Sequence, residues 1–180
     1  EVSLDNFEGS FLFDRTFNGS GVGDLNSGPL LNLNLKITPN TTYIKGYSDN
    51  AGSVLLKSKM YSSGYGGQIN FEFFKKRGFA NEGNVHITNL QVIGAPFLAK
   101  LVALTSIDGI LEVLTSNGVV FDEIKVKYSI DKNFLYINQG FATNSSFGVT
   151  LSGQRNMNTK VINYEGVMSP VYLLNGIVKK

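Results

Sequence analysis

Cysteine is absent from the 180 residues. That excludes a disulfide framework, a thiolate nucleophile and any thiolate metal site, and it leaves the compartment open, since envelope and cytosolic proteins both manage without cysteine. Histidine occurs once, at His86, and a general base needs an orienting partner and a nucleophile, neither of which the surrounding sequence supplies. Its place on the strand face opposite Val85 and Ile87 predicts a solvent-facing residue. Charge of one sign is missing too: the net charge of +2 is small and scattered, whereas a nucleic-acid binder needs a basic stripe for phosphate contacts. The single basic cluster, Lys75-Lys76-Arg77, runs into Gly78 and reads as a solvated turn. There is no long uncharged apolar run either. Lys100, Asp108 and Glu112 interrupt the most apolar stretch, which falls short of the roughly eighteen residues a transmembrane helix requires.

What is present is period-two alternation, repeated along the chain. Leu31, Leu33, Leu35 and Ile37 alternate with Asn32, Asn34 and Lys36; Ile69, Phe71 and Phe73 alternate with Gln68, Asn70 and Glu72. Ile124, Val126 and Tyr128 oppose Glu123, Lys125 and Lys127, and Phe147, Val149 and Leu151 oppose Ser146, Thr150 and Ser152. Ile162 and Tyr164 continue the pattern beside Asn163 and Glu165. Weaker strands are expected at Phe11 to Phe13, Tyr43 to Tyr47, Val85 to Val92 and Phe134 to Ile137. Clean alternation of this kind favours an antiparallel sheet with one face on a core.

Helical spacing appears in two places. Ala51 to Met60 predicts a short helix with Val54, Leu55 and Met60 facing inward, against the helix-weakening Gly52 and Ser53. Pro96 to Leu114 predicts a helix pair jointed at Asp108-Gly109, expected to cap the sheet or fill its core in preference to touching a membrane, since charges break its apolar face. Turns are expected at Gly19 to Gly23 and Asn156 to Asn158. The class is therefore mostly β with short helices (α+β), in one domain over residues 1–180, with enough chain to bury a core unaided.

The chemical motifs each have a plainer explanation. Gly19-Ser20-Gly21-Val22-Gly23 lacks the final spacing and the following helix of a nucleotide-binding loop, and Ser63-Gly64-Tyr65-Gly66-Gly67 lacks the Lys-Ser or Lys-Thr of a P-loop. Asp122 and Glu123 are adjacent on a strand, so they are expected on opposite faces and not as a paired acid and base. One histidine and scattered carboxylates give no metal-ligand spacing, so no cofactor is expected. Asn18-Gly19-Ser20, Asn40-Thr41-Thr42 and Asn144-Ser145-Ser146 match the glycosylation pattern, as chance matches will in an Asn-rich chain.

Several segments in order resemble one family: Gly83-Asn84-Val85-His86-Ile87, Gly94-Ala95-Pro96-Phe97-Leu98-Ala99-Lys100-Leu101, Gly109-Ile110-Leu111, Gly118-Val119-Val120-Phe121, Gly153, and Val167-Met168-Ser169-Pro170-Val171-Tyr172. From about Gly46 to Asn175 the chain resembles the C-terminal domain of the AsmA-like family, related to the bridge-like lipid transfer proteins. The resemblance implies a curved antiparallel sheet forming a trough or half-barrel, capped by helices. It also implies a section of a longer Gram-negative envelope protein, periplasmic and anchored in the inner membrane. The chain starts at Glu1 with no start methionine, signal peptide or anchor, in keeping with such a section.

The implied function is non-enzymatic phospholipid binding and transfer between inner and outer membranes, with acyl chains as ligand, envelope proteins as further partners and no nucleic acid. Lining residues expected on the apolar faces are Leu31, Leu33, Leu35, Ile69, Phe71, Phe73, Ile124, Val126, Phe147, Val149 and Leu151. An ordinary closed core is the alternative for each of them. A structural or assembly role for outer-membrane proteins, through an exposed sheet edge, is the alternative function. An enzyme is the least expected class.

Overall fold

The computed structural model describes residues 4–9, 16–94 and 118–170. Ten strands follow one another across a single antiparallel sheet: β1 (Leu4–Gly9), β2 (Phe17–Leu25), β3 (Leu30–Ile37), β4 (Thr41–Ser48), β6 (Gln68–Lys76), β7 (Asn81–Val92), β8 (Val119–Ile130), β9 (Phe134–Thr143), β10 (Phe147–Asn156) and β11 (Ile162–Pro170). The two-residue strand β5 (Gly64–Tyr65) pairs with β7 off this path. One helix is described, α1 (Ala51–Lys57), between β4 and β5. Among the described residues the sheet is open, because β1 and β11 stand at opposite ends of the order and do not pair.

The turns account for much of the asparagine. Asn144 Oδ1 accepts the N–H groups of Ser146 and Phe147 at 2.8 and 2.9 Å, and Asn156 Oδ1 accepts those of Asn158 and Thr159, both at 2.9 Å. Asp131 does the same for Asn133 and Phe134. A short side-chain acceptor two or three residues ahead of the amides it binds closes a tight turn, and all three residues stand where one strand returns as the next. The Asn144-Ser145-Ser146 triplet is thus a structural turn.

Glycine-rich sequence proves misleading in one place. Gly19 to Gly23 is not the expected loop but the middle of β2, paired residue by residue with Leu35 to Leu31 of β3. Glycine weakens a strand by entropy and lost packing, yet here ladder bonds on both sides, to β1 and β3, hold it extended. The turn lies instead at Asn26 and Ser27, whose φ angles of 47° and 52° reverse the chain. The segments expected at Phe11 to Phe13 and Pro96 to Leu114 lie outside the described residues.

Buried apolar residues gather at one end of the sheet. Leu25, Leu31, Ile69, Ile87, Leu90, Val92, Val119, Phe121, Phe147 and Val149 come from strand ends that the up-and-down order brings together, and Ala51, Val54 and Leu55 of α1 pack on them. The helix is short but tied at its start. Asn50 caps it by accepting the Ser53 N–H at 3.0 Å, and its first amides, Ala51 and Gly52, donate to the carbonyls of Gly67 and Gly66, both at 2.8 Å. Met60, expected inward, is 71% exposed beyond the helix end, because α1 stops at Lys57.

The inward parity shifts within β7. Ile87 and Leu90 are both buried although three residues apart, and their partners on β8 are the half-buried, core-packed Ile124 and the buried Phe121. Asn89, with φ of 55°, takes up the extra step. Asp122 and Glu123 fall in the matching interval of β8, so the simple alternation expected to set them on opposite faces is interrupted there.

Candidate functional site

The two faces of the sheet differ in chemistry. On the outer face the β7–β8 register sets His86 against Lys125 and Thr88 against Glu123, and the His86 Nε2 lies 2.9 Å from Glu123 Oε1. Lys125 Nζ reaches the same oxygen at 2.7 Å. The Lys125 ammonium holds the Glu123 carboxyl below its usual range, with His86 acting in the same direction and partial burial opposing both. His86 therefore has a partner after all, 37 residues away in sequence, which no local motif reveals. Among the described residues no hydroxyl is hydrogen-bonded to the ring. Lys45 and Glu72 pair at 3.3 Å nearby, and these two line a mixed concavity of about 400 Å³ with His86, Lys125, Lys127, Asn70 and Asn84 beside Phe71, Val85 and Val126. Most of its charge is already compensated within the sheet.

The inner face holds an apolar cavity of about 340 Å³ between the sheet and the end of α1. Leu25, Leu31, Leu33, Leu35, Ile44, Ile69, Phe71, Val85 and Tyr128 line it from the sheet, with Val54, Leu55, Ser58 and Met60 on the helical side. Two glycines shape its floor. A Cβ on Gly46 would lie 2.2 Å from Cζ of Phe71, and one on Gly83 would lie 2.3 Å from Cζ of Tyr128. The far end of each ring reaches over the glycine of the neighbouring strand, into the space a side chain would have filled, an arrangement in which an aromatic shields a strand glycine. Burial raises the pKa of Tyr128, keeping its phenol neutral.

Of the residues expected to line a lipid site, Leu31, Leu33, Leu35, Ile69 and Phe71 meet at this cavity. Phe73 is half-buried on the same face, opposite Ile44 and Gly83. Ile124 packs on the core and Val126 is half-buried opposite Val85. Phe147 and Val149 sit inside the packed core, at 3% and 5% exposure, with the Phe147 ring edge-on to Phe121 at 6.0 Å. Leu151 lies further along β10, between Gly140 and Gly166, at a separate groove. Ile44, Val85 and Tyr128 also border the cavity; Val85 and Tyr128 belong to alternating apolar faces, whereas Ile44 stands between Thr42 and Gly46 on its face of β4. Leu25 follows the glycines of β2, where no apolar period announces it.

No protein-family model, curated protein or solved structure matches the chain. No helix among the described residues is long and apolar enough to cross a membrane.

Proposed function

We propose that this chain is a non-enzymatic lipid-binding module of the bacterial envelope, which holds a phospholipid acyl chain on the inner face of a curved, trough-like sheet. The observation that carries the reading is the apolar cavity of about 340 Å³. Packed cores contain few voids larger than a water molecule, and at ~24 cal/mol per Å³ an enclosed void of this size would cost about 8 kcal/mol. That is comparable with the whole stability of an ordinary domain. The cavity opens to solvent, so water meets its apolar wall, and each methylene that displaces this water gains about 0.8 kcal/mol. At the low end of small-molecule site volumes, it suits one acyl chain and not an entire phospholipid.

Transfer follows from the same surface, since a chain held by dispersion and hydrophobic contact slides between equivalent positions without a catalytic group. Nine spacings of about 4.8 Å make the described sheet about 43 Å wide, little more than one bilayer core. Passage between inner and outer membranes therefore belongs to a longer periplasmic protein anchored in the inner membrane, with this chain as one section. The order of segments resembling the AsmA-like C-terminal domain supports that placement, with α1 capping one end of the trough.

Native mass spectrometry of the protein purified under mild conditions tests the reading. Stoichiometric phospholipid is expected, and it should be lost from Leu35→Glu and Ile44→Glu, whose half-buried positions at the cavity tolerate a charge better than the packed core does. A folded wild-type protein free of lipid would overturn it. One observation favours the assembly role instead. Among the described residues β11 is an edge strand, it exposes Ile162 and Val167 at 57% and 66%, and an apolar edge strand is a template for pairing with a client strand. Cross-linking between β11 and an unfolded outer-membrane protein would mark that activity.

A further inference from the structure

Arg155 stands out on the inner face. By the alternation of β10 it shares that face with Phe147 and Val149, and its cross-strand neighbours are Leu135 on β9 and Ile162 on β11. Both are apolar. The residue is half-buried, its Nε is buried without a hydrogen-bond partner, and among the described residues its guanidinium forms no ion pair. No carboxylate of the adjoining strands pairs with it among the described residues. Asp131 uses one oxygen on the Asn133 and Phe134 amides and the other on the Tyr136 hydroxyl at 3.2 Å, and Glu165 follows Tyr164 onto the opposite face of β11. A guanidinium is always charged and carries five donors in a planar fork. Beside Leu135, Ile162 and the phenol of Tyr164, which feels its charge, a guanidinium with an orphaned donor is unfavourable unless an anion completes it.

The ladder also fixes where Arg155 lies relative to the cavity. Arg155 pairs with Leu135, Leu135 with Ile130, and Tyr128 at the cavity is two residues back along β8. Two strand spacings and two residues of rise put the separation at about 12 Å along the sheet. Ile130, Leu135 and Ile137 supply apolar surface along that path.

We propose that Arg155 is the phosphate anchor of the site: its guanidinium binds the phosphate of an anionic amphiphile whose acyl chain runs across the inner face into the cavity. This rests on the acyl-chain reading above and adds the head-group chemistry. Arginine suits the task because its fork matches phosphate oxygens in pairs.

Calorimetric titration with dodecyl phosphate, with dodecyl maltoside and with inorganic phosphate, each below micelle formation, separates the terms. Wild-type protein should bind dodecyl phosphate at least about tenfold tighter than the neutral amphiphile, the scale of one charge-assisted contact. Arg155→Gln should bind both equally, and Arg155→Lys should keep part of the preference. Inorganic phosphate alone should bind weakly. Equal binding of both amphiphiles by the wild type would overturn the anchor while leaving the acyl-chain reading standing, and failure of both to bind would overturn the two together. Tight inorganic phosphate binding with no gain from the dodecyl chain would make this a free-phosphate site and overturn the lipid assignment. Arg155→Leu should melt no lower than wild type, since no structural partner is lost; a clear fall would assign Arg155 to the fold instead.

Discussion

Adding one methyl group at Gly46 should damage both stability and the cavity, through Phe71 alone. The new Cβ would lie 2.2, 2.4 and 2.8 Å from three carbons of the Phe71 ring, far inside van der Waals contact, so the ring must leave its place over β4. Phe71 faces the cavity on its other side, and the ring therefore swings into the space proposed for the acyl chain. Overpacking of this kind costs about 1–3 kcal/mol. Against it stands the gain of about 0.5–1 kcal/mol that alanine brings over glycine at a residue of compatible backbone. A net loss of up to about 2.5 kcal/mol follows, read as a lower urea midpoint with an unchanged slope, together with loss of dodecyl-chain binding. Phe71→Leu removes the clashing ring, so Gly46→Ala in that background should cost little, a coupling that a double-mutant cycle measures. A Gly46→Ala protein that is more stable than wild type, or whose cost is the same in the Phe71→Leu background, would refute the account.

Gly52→Ala should also destabilise, by about 1–3 kcal/mol, because the added Cβ would meet the Gly64 carbonyl oxygen at 2.5 Å and the Tyr65 Cα at 2.7 Å. An unconstrained helix would gain about 1 kcal/mol from the same change, so thermal unfolding decides the matter by the sign alone. Glu123→Gln tests the outer-face cluster by its pH dependence. The folded Glu123 pKa is lowered, so its contribution is present above the ordinary carboxylate range near pH ~4.3 and is lost as pH falls through the lowered folded value. The difference between wild type and variant, at most about 1 kcal/mol for so exposed a pair, should hold above pH ~5 and shrink as pH falls below pH ~4.3 in urea unfolding. A pH-independent difference would sink that assignment.

The alternation of leucines at 31, 33 and 35 and of Ile69, Phe71 and Phe73 determined by itself that these segments are strands, because a period of two puts every apolar side chain on one face only in an extended chain. The sequence also sufficed to mark Ala51 onward as a helix with Val54 and Leu55 inward, and the Asn156 to Asn158 segment as a turn. Local composition failed where pairing overrode it. Nothing near Gly19 to Gly23 says strand, and only the β1 and β3 ladders make it one. Which apolar residues close into core and which border a cavity was equally beyond a one-dimensional pattern: Val149 and Leu33 look alike in sequence, yet one is packed beneath the strand ends and the other faces open space beside α1. His86 and Glu123 were both visible, but their contact exists only through the β7–β8 register. Nothing in the sequence around Arg155 sets it apart. Alternation is a property of neighbours along the chain, whereas burial, ion pairing and the isolation of a charge depend on neighbours across the sheet, and only the tertiary structure decides those.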